Sequence, residues 1–326
     1  MTTSDPLRDG AVAVAVISYN TRDILHDCLA SVVADAPDAV VVVDNGSTDG
    51  SIEMVQQEFP AVRLLLAPDN PGYGAASNLA VAACDVGYVL LLNSDIVLRR
   101  GTLRALRDYM ERHPRAGMAG PRLINADGSL QPSCYAFPSA AFIVVKHSTL
   151  ELLARRVPAI RRRFFIDWPH DEARVVPWAS GAALMLRRAA FDEVRGFDPS
   201  FHMYAEEVDL AYRMAAAGWE THFAPVADVV HLGGASTAKV WRPMRVRYFR
   251  SLVQFCATHH SMAATKRAIA ALRALVLVKL AQDLVRLAVV RDPELRRGLQ
   301  ERTGLWKEIL RVPFLREACE VRARSQ

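Results

Sequence analysis

Three stretches of this sequence put ionisable side chains where they can act on a substrate. Asn93-Ser94-Asp95 follows directly on the apolar run 89–92. That run reads as a buried strand, which makes Asp95 a hard oxygen donor fixed at a strand end. Mg2+ and Mn2+ favour such oxygens and commonly share them with substrate phosphates. Tyr204-Ala205-Glu206-Glu207-Val208-Asp209 places three carboxylates at a helix start. The helix macrodipole accounts for one or two of them, but not for the aromatic approach Phe197-Asp198-Pro199-Ser200-Phe201-His202-Met203-Tyr204, which would wall a pocket. Glu207 or Glu206 there suits a general base taking the proton of a substrate hydroxyl. His231 follows the apolar pair Val229-Val230 and precedes Gly233-Gly234-Ala235-Ser236. A histidine after a strand is more often structural, and Asn-Ser-Asp is also an ordinary turn. In glycine-rich company, however, His231 fits a loop that contacts metal or phosphate.

The elements that must position these groups alternate regularly. Apolar β runs at 12–18, 39–43, 62–66 and 88–92 are separated by helical patterns. Thr21 can cap the first helix, whose stripe is Ile24, Leu25, Cys28, Leu29, Val32 and Val33. A second helix passes through Ile52, Val55 and Phe59, and a third covers 75–83. Such alternation means βαβ units and a parallel sheet covered on both faces. Beyond Gly101 the pattern predicts a helix at 102–113, a Gly/Pro/Asn-rich loop over 117–138 and an insert at 139–176 without a clear period. A strand at 182–186, a short helix at 189–194 and a longer one over 206–217, ended by Gly218, follow. In an open parallel sheet, ligands bind beyond the carboxyl ends of the strands, near the switch in strand order. Tyr19-Asn20, Asp44-Asn45-Gly46, the loop 68–74 and Asn93-Ser94-Asp95 all arrive at that edge.

Absent motifs narrow the ligand. The first βα turn, Ser18-Tyr19-Asn20-Thr21-Arg22, lacks the G-x-G-x-x-G of dinucleotide folds, and no G-x-x-x-x-G-K-[ST] occurs. Nicotinamide oxidoreductases and P-loop NTPases are therefore disfavoured. What remains is a nucleotide held by side chains and a divalent ion. The five cysteines of the 326 residues are scattered without a C-x-x-C pair, against structural zinc and disulfides and in favour of a reducing cytosol. The start has no basic n-region, and no run of about 18 apolar residues predicts a spanning helix.

Charge divides the chain. Residues 239–326 hold 19 Lys/Arg against 7 Asp/Glu, whereas residues 1–238 hold 21 against 28. A strongly basic tail meets something anionic, either nucleic acid or an anionic membrane surface. Residues 268–290 place Lys279, Gln282, Asp283 and Arg286 on one helical face, with Leu277, Leu280, Leu284, Leu287 and Ala288 broadly opposite. This is the pattern of an interfacial amphipathic helix, or of a helix packed on its own domain. Arg155, Arg156, Arg161, Arg162 and Arg163, followed by Phe164, Phe165 and Trp168, suit single-stranded nucleic acid, lipid headgroups or a solvated loop. No helix-turn-helix, zinc-finger or RNP signature supports the nucleic-acid reading, so no nucleic acid is expected.

With these residues assembled, the chain resembles the family 2 glycosyltransferases of GT-A fold, in particular the rhamnosyltransferase-like branch of bacterial polysaccharide synthesis. The motifs are Val16-Ile17-Ser18-Tyr19-Asn20, Val42-Val43-Asp44-Asn45-Gly46-Ser47-Thr48-Asp49-Gly50-Ser51, Asn70-Pro71-Gly72-Tyr73-Gly74-Ala75-Ala76-Ser77-Asn78, Leu91-Leu92-Asn93-Ser94-Asp95, Trp178-Ala179-Ser180-Gly181-Ala182, Gly196-Phe197-Asp198, Glu206-Glu207-Val208-Asp209-Leu210, Arg213, Gly218-Trp219 and His231. Each is unspecific alone; their order over 12–237 is not.

The resemblance implies a largely parallel Rossmann-like sheet flanked by helices over 1–238, with a nucleotide-binding half at about 11–100 and an acceptor and catalytic half at about 101–238. A basic helical extension over 239–326 would follow. It implies that Ser18, Tyr19, Asn20, Asp44, Asn45, Gly72, Gly74, Asn78, Asn93 and Ser94 surround the nucleotide-sugar, with Asp44 on the base. Trp178, Gly181, Ala182 and Tyr204 would face the acceptor. Asp95 and His231 would meet Mg2+ or Mn2+, and Glu207, or else Glu206, would be the base. The expected reaction is inverting transfer of a sugar, such as rhamnose, from a nucleoside-diphosphate sugar to a lipid-linked or growing glycan acceptor. The expected place is the cytoplasm, at the inner face of the cytoplasmic membrane. A non-catalytic sugar-nucleotide or glycan-binding module of the same fold is the alternative.

Overall fold

The computed structural model describes residues 8–166, 168–233 and 241–324. The expected boundary at 238 lies outside them, as do Gly234, Ala235 and Ser236 of the His231 loop. The chain divides into two compact units, one of residues 1–135 and 168–239, the other of 136–167 and 240–326.

The first unit is built on a nine-stranded mixed sheet. Its strands are β1 (Arg8–Ser18), β2 (Ala39–Asp44), β3 (Arg63–Leu66), β4 (Val86–Asn93), β5 (Ile96–Val97), β6 (Ala116–Ile124), β8 (Arg174–Val176), β10 (Ala183–Arg187) and β11 (Glu220–His231). They run in the order β3-β2-β1-β4-β10-β6-β11-β5, with β8 also paired to β11. The first four are parallel, β10 is antiparallel to both its neighbours, and β11 is parallel to β6. Order therefore reverses at β1 and β4, which places the switch point where the sequence requires it. Two short strands, β7 (Cys134–Tyr135) and β9 (Trp178–Ala179), form a separate ribbon.

Alternation along the strands explains the layers. Val12, Val14, Val16, Leu90 and Leu92 turn to one face, where they pack with Leu25, Leu29 and Val32 of α1 (Arg22–Ala34) and Leu103, Leu106 and Met110 of α4 (Thr102–Arg112). Ala13, Ala15, Val89 and Leu91 take the other parity and are equally buried. Burial on both faces is what a β-branched, nearly continuous apolar strand demands, at about 1.5–3 kcal/mol per large aliphatic side chain. α2 (Ser51–Glu58), α3 (Tyr73–Ala82), α8 (Arg188–Glu193) and α9 (Glu206–Ala216) complete this unit.

Two expectations are corrected. The stretch expected as a loop over 117–138 instead holds β6, a nine-residue buried strand. Its glycines are there for close approach rather than for turning. A Cβ on Gly120 would lie 2.8 Å from the Ala179 Cβ, and one on Gly117 3.0 Å from the Trp219 Cβ. Pro121 breaks the ladder, and register with β11 jumps from the pair Phe223–Gly120 to the pair Asp228–Arg122. The second correction is Thr21. It occupies the N-cap position of α1 but makes no capping bond; its hydroxyl donates to Ser94 Oγ at 2.8 Å instead.

The second unit is helical: α5 (Ala140–His147), α6 (Leu150–Ala154), α7 (Pro158–Phe164), α10 (Trp241–His259), α11 (Met262–Val289), α12 (Pro293–Arg311) and α13 (Phe314–Arg324). The unperiodic insert thus contributes three helices here. α11 buries Ala268, Ile269, Leu272, Leu275 and Val276, then Asp283. Asp283 accepts from Arg302 at 2.6 Å and from Trp306 Nε1 at 2.8 Å on α12. Of the polar face Asp283 is buried and Lys279 half-buried, while Gln282 and Arg286 are exposed, as are the apolar residues Leu277, Val278, Leu284, Val285 and Val289. Among the described residues no helix is long and apolar enough to cross a membrane. All five cysteines are unpaired.

Candidate active site

Strand register brings the candidate residues to one edge. Ser18 is paired with Asp44 across β1 and β2, and Ile17 with Asn93 across β1 and β4. Because β10 runs antiparallel to β4, its start also lies at this edge, and Asn93 N donates to Ala182 O at 2.9 Å. β11 ends here too, with His231 paired to Ile96. Leu232 N closes the corner by donating to Asp95 O at 2.9 Å.

Asp95 and His231, 136 positions apart in sequence, meet at 3.3 Å between Oδ1 and Nε2, both largely buried. The imidazole is oriented from behind: Nδ1 donates to Gln131 Oε1 at 2.5 Å. Gln131 is held in turn by its own amide, which donates to Asn125 Oδ1 at 3.0 Å. With Nδ1 engaged there, Nε2 is the ring nitrogen that faces Asp95, oriented by an outer partner as histidine ligands of metal sites are. Gln131 carried no signal in the sequence, since it lies in a stretch that reads as loop.

Asp44 is buried at the end of β2. Its Oδ1 accepts from Gly46 N at 3.1 Å and Ser47 N at 2.7 Å, while Oδ2 has no partner. The buried Oδ1 of Asn45 is likewise unpartnered. An orphaned buried acceptor costs about 1–3 kcal/mol and marks a place built for a donor that arrives later. Around it, Asn20 N donates to Ser47 Oγ and Asn20 Oδ1 accepts from Thr48 N, each at 2.8 Å, tying the first two βα turns together. Tyr19 projects into solvent.

Glu206 and Glu207 start α9 after two consecutive left-handed residues, Tyr204 (φ 68°) and Ala205 (φ 64°). Strain of about 1–3 kcal/mol per such residue is held where geometry matters more than stability. Asp209, the third carboxylate, is accounted for by Arg213, whose Nη2 lies 2.6 Å away. The two glutamates differ. Glu207 lies against Gly181 and accepts from its N–H and from the first helix amides, which offset part of the rise that burial causes. Glu206 is pushed well above the usual carboxylate range by burial and then by the charge of Glu207. Burial raises both, and the amides beside Glu207 make it the better placed of the two to ionise.

Tyr73, unassigned from sequence although it stands in the Gly72-Tyr73-Gly74 motif, links the parts. Its hydroxyl donates to Gly181 O at 2.8 Å. Burial raises the phenol above its usual range, and the charges of Glu206, Glu207 and Asp95 raise it further. One side chain therefore feels all three carboxylates. Gly72 (φ 95°) and Gly74 admit the loop beside it: a Cβ on Gly72 would overlap the His202 carbonyl oxygen, and one on Gly74 would reach the Phe197 Cβ at 3.1 Å. Gly72→Ala is expected to lower stability by about 1–3 kcal/mol and weaken nucleotide binding. Thermal unfolding with and without nucleoside diphosphate checks this.

Not every candidate joins the cleft. Asn78 is committed in both directions to the Phe197 backbone, donating to its O and accepting from its N, each at 2.9 Å. It pins α3 to the 197–204 approach. Ser94 is buried and receives the Thr21 hydroxyl, bracing two turns from below. Trp178 tilts against Tyr135, ring centroids 5.2 Å apart. Gly181 and Ala182 lie beside Glu207 and Asn93, and Tyr204 leads into α9. Among the described residues no three His, Cys, Asp or Glu side chains are grouped to enclose a metal by themselves.

Known proteins share this framework. Residues 9–251 match the model of the family described as glycosyltransferase like family 2. An N-acetylglucosaminyl-diphospho-decaprenol L-rhamnosyltransferase of Mycobacterium tuberculosis is 34% identical over 76% of this chain and 84% of its own. Rhamnosyltransferase WbbL of Escherichia coli is 24% identical over 68% and 83%. Mannosyltransferase PcManGT from Pyrobaculum calidifontis, solved with GDP-Man and Mn2+, superposes with a TM-score of 0.52 at 18% identity, covering 96% of this chain and 86% of that one. The 34% identity over most of both chains, and a family match spanning the whole sheet edge, show that this chain belongs to the glycosyltransferase-like family 2.

Proposed function

We propose that the protein transfers L-rhamnose, with inversion, from a nucleoside-diphosphate sugar to a lipid-linked acceptor. The observation that supports this most is the convergence at one sheet edge of an unpartnered Asp44 oxygen, the Asp95–His231 pair and an ionisable Glu207. A binding module would need the first of these and has no use for the last. The rhamnosyltransferases matched along most of their length favour the same donor sugar, and the mycobacterial one favours an acceptor carried on a lipid diphosphate.

The chain's own residues divide the work. Asp44 Oδ2 accepts from the imide N–H of a uracil or thymine base, consistent with a dTDP-sugar. Asp95 and His231 supply one carboxylate oxygen and one imidazole nitrogen, too few to enclose an ion but a fit for Mg2+ or Mn2+ completed by substrate phosphates. Such an ion, when bound, neutralises charge on the departing diphosphate. Glu207 removes the acceptor hydroxyl proton as that oxygen bonds to the anomeric carbon and the bond from that carbon to the diphosphate breaks. Tyr73 and Gly181 hold Glu207 in place, so orientation is set before the acceptor binds. The acceptor would enter past Trp178, Gly181, Ala182 and Tyr204.

In this reading the sheet unit performs the chemistry. The helical unit, basic over 239–326 and including the 136–167 insert, holds the enzyme at an anionic membrane surface on the cytoplasmic side. The outward Leu277, Val278, Val285 and Val289 of α11 support that role.

Product mass spectrometry with a panel of nucleotide sugars, Mg2+ or Mn2+ and a lipid-diphosphate acceptor tests the proposal. Rhamnosylated lipid is the expected product, and release of no nucleoside diphosphate with any donor would refute it. Asp44→Asn replaces the acceptor by an amide and is expected to weaken dTDP binding by about 10- to 100-fold, the range for a hydrogen bond to a charged group. Calorimetric titration measures it.

A further inference from the structure

The helical unit contains a cavity of about 420 Å3 among α5, α6, α10, α11 and α12, and nothing in the transfer reaction uses it. Lys146, Arg155, Arg245 and Lys279 line it. Among the described residues, its one lining carboxylate is Glu151, shared between Lys146 at 3.7 Å and Arg155 at 3.3 Å. Asp283, the nearby acid on α11, is already engaged by Arg302 and the Trp306 indole. Lys279 sits 5.7 Å over the Trp306 ring.

The charges inside are under mutual repulsion. Burial depresses the Lys279 ammonium, and Arg302 and Arg245 depress it further. His147, on the same wall, is driven down to about 3 by burial and then by Arg245, Lys146 and Lys279, so it is neutral at physiological pH. A cavity with surplus positive charge, of a size that suits a ligand group, is completed by an anion with several acceptor oxygens. Ser148 and Thr149 add hydroxyls to the same lining.

We propose that this cavity binds the phosphate or diphosphate headgroup of a lipid. The cationic lining fits the phosphate, and the apolar surface beside it argues for a lipid over a free anion. Leu152 lines the cavity while remaining 63% exposed, and Leu150 and Leu153 on α6 are also exposed. On α11 the residues just before Lys279, Leu277 and Val278, are more than half exposed. Apolar side chains protruding beside a cationic recess are arranged as headgroup and acyl layers require. The inference rests on the membrane reading above and adds to it a defined site and ligand.

The test uses the full chain and phosphatidylcholine vesicles doped with phosphatidic acid, or with phosphatidylserine at matched charge. The expected result is a preference of about tenfold for phosphatidic acid, whose phosphomonoester can enter the cavity. Arg245→Gln/Lys279→Gln should abolish that preference with phosphatidylserine binding reduced far less. Arg245→Gln alone, at an exposed position, should lower it partly and guards against misfolding of the double variant. Arg161→Gln/Arg162→Gln on α7 should weaken both lipids alike. Retention of the preference in the folded double variant would overturn the site, and so would equal binding of the two lipids by the unaltered protein. Binding to neither vesicle would instead defeat the membrane reading itself. Inorganic pyrophosphate, titrated with a chelator present, separates the sources: affinity matching that for phosphatidic acid vesicles would assign the cavity to a soluble anion and overturn the lipid.

Discussion

Glu207→Gln is expected to reduce sugar transfer by about 10^2- to 10^4-fold, the range for loss of a positioned general base, while donor affinity stays within a few-fold. Glutamine keeps the shape of the side chain and can still lie against Gly181, where the carboxylate now accepts a backbone N–H. What it cannot do is take a proton from the acceptor hydroxyl. Glu206→Gln is the informative partner. Burial and the neighbouring charge favour the protonated form of Glu206, and a glutamine is close in shape and polarity to a neutral glutamic acid. Transfer in that variant should therefore stay within about tenfold of the parent, far from the loss at Glu207. Single-turnover rates with saturating donor distinguish the two, and equal losses in both would remove the assignment of Glu207 as the base.

The same asymmetry fixes the sign of the pH response. Burial raises Glu207 above the ordinary glutamate range despite its helix and Gly181 amide partners. A base acts only when ionised, so activity should fall as pH drops through that raised value, at a higher pH than a solvent-exposed glutamate would give. Glu206→Gln exchanges a protonated acid for a neutral amide, so the limb should stay close to that of the parent. In Glu207→Gln the residual rate should lose the limb. Rates measured from pH 5 to 9 report all three profiles.

How much of this was legible in the sequence depends on what kind of contact carried the information. The first four parallel strands can be read because each is a local apolar run, and the switch-point rule places Asp44 and Asp95 at one edge from the sequence alone. β6 could not be read. Its Gly117, Gly120 and Pro121 look like a loop locally, and only the packing of Trp219 and Ala179 against the glycines explains them. The insert helices, α5 to α7, bury few residues each, so no sustained period marks them. The amphipathic pattern of α11 was visible, but its orientation was not. Asp283 is buried because it finds Arg302 and Trp306 on α12, a choice made by partners 19 and 23 residues away, while Gln282 and Arg286 of the same face stay exposed. Within the site, motif residues announced themselves, whereas Gln131 and Tyr73 act only through His231 and Gly181 and have no chemistry of their own to advertise.

Asp95→Asn is expected to abolish the enhancement of nucleoside-diphosphate binding by Mg2+ or Mn2+ and to lower transfer by about 10^3-fold, roughly 4 kcal/mol of transition-state stabilisation. The reasoning starts from the donor set. His231 offers a single ring nitrogen, and among the described residues Asp95 is the carboxylate placed beside it, at 3.3 Å. An amide in place of the carboxylate removes the charge that offsets desolvation of a divalent cation and leaves a weak, neutral oxygen. The fold should survive, because the Asp95 backbone carbonyl, not its side chain, accepts from Leu232 N and closes the β5–β11 corner. Melting temperature should therefore change little without ligand. With dTDP present, the further rise caused by Mn2+ in the parent should be missing from the variant. His231→Gln, which removes the nitrogen ligand but keeps Asp95, should retain part of that rise. An Asp95→Asn protein that kept the full metal-dependent shift would mean that the cation is held elsewhere on this edge, and the Asp95–His231 contact would then be only the brace that joins β5 to the end of β11.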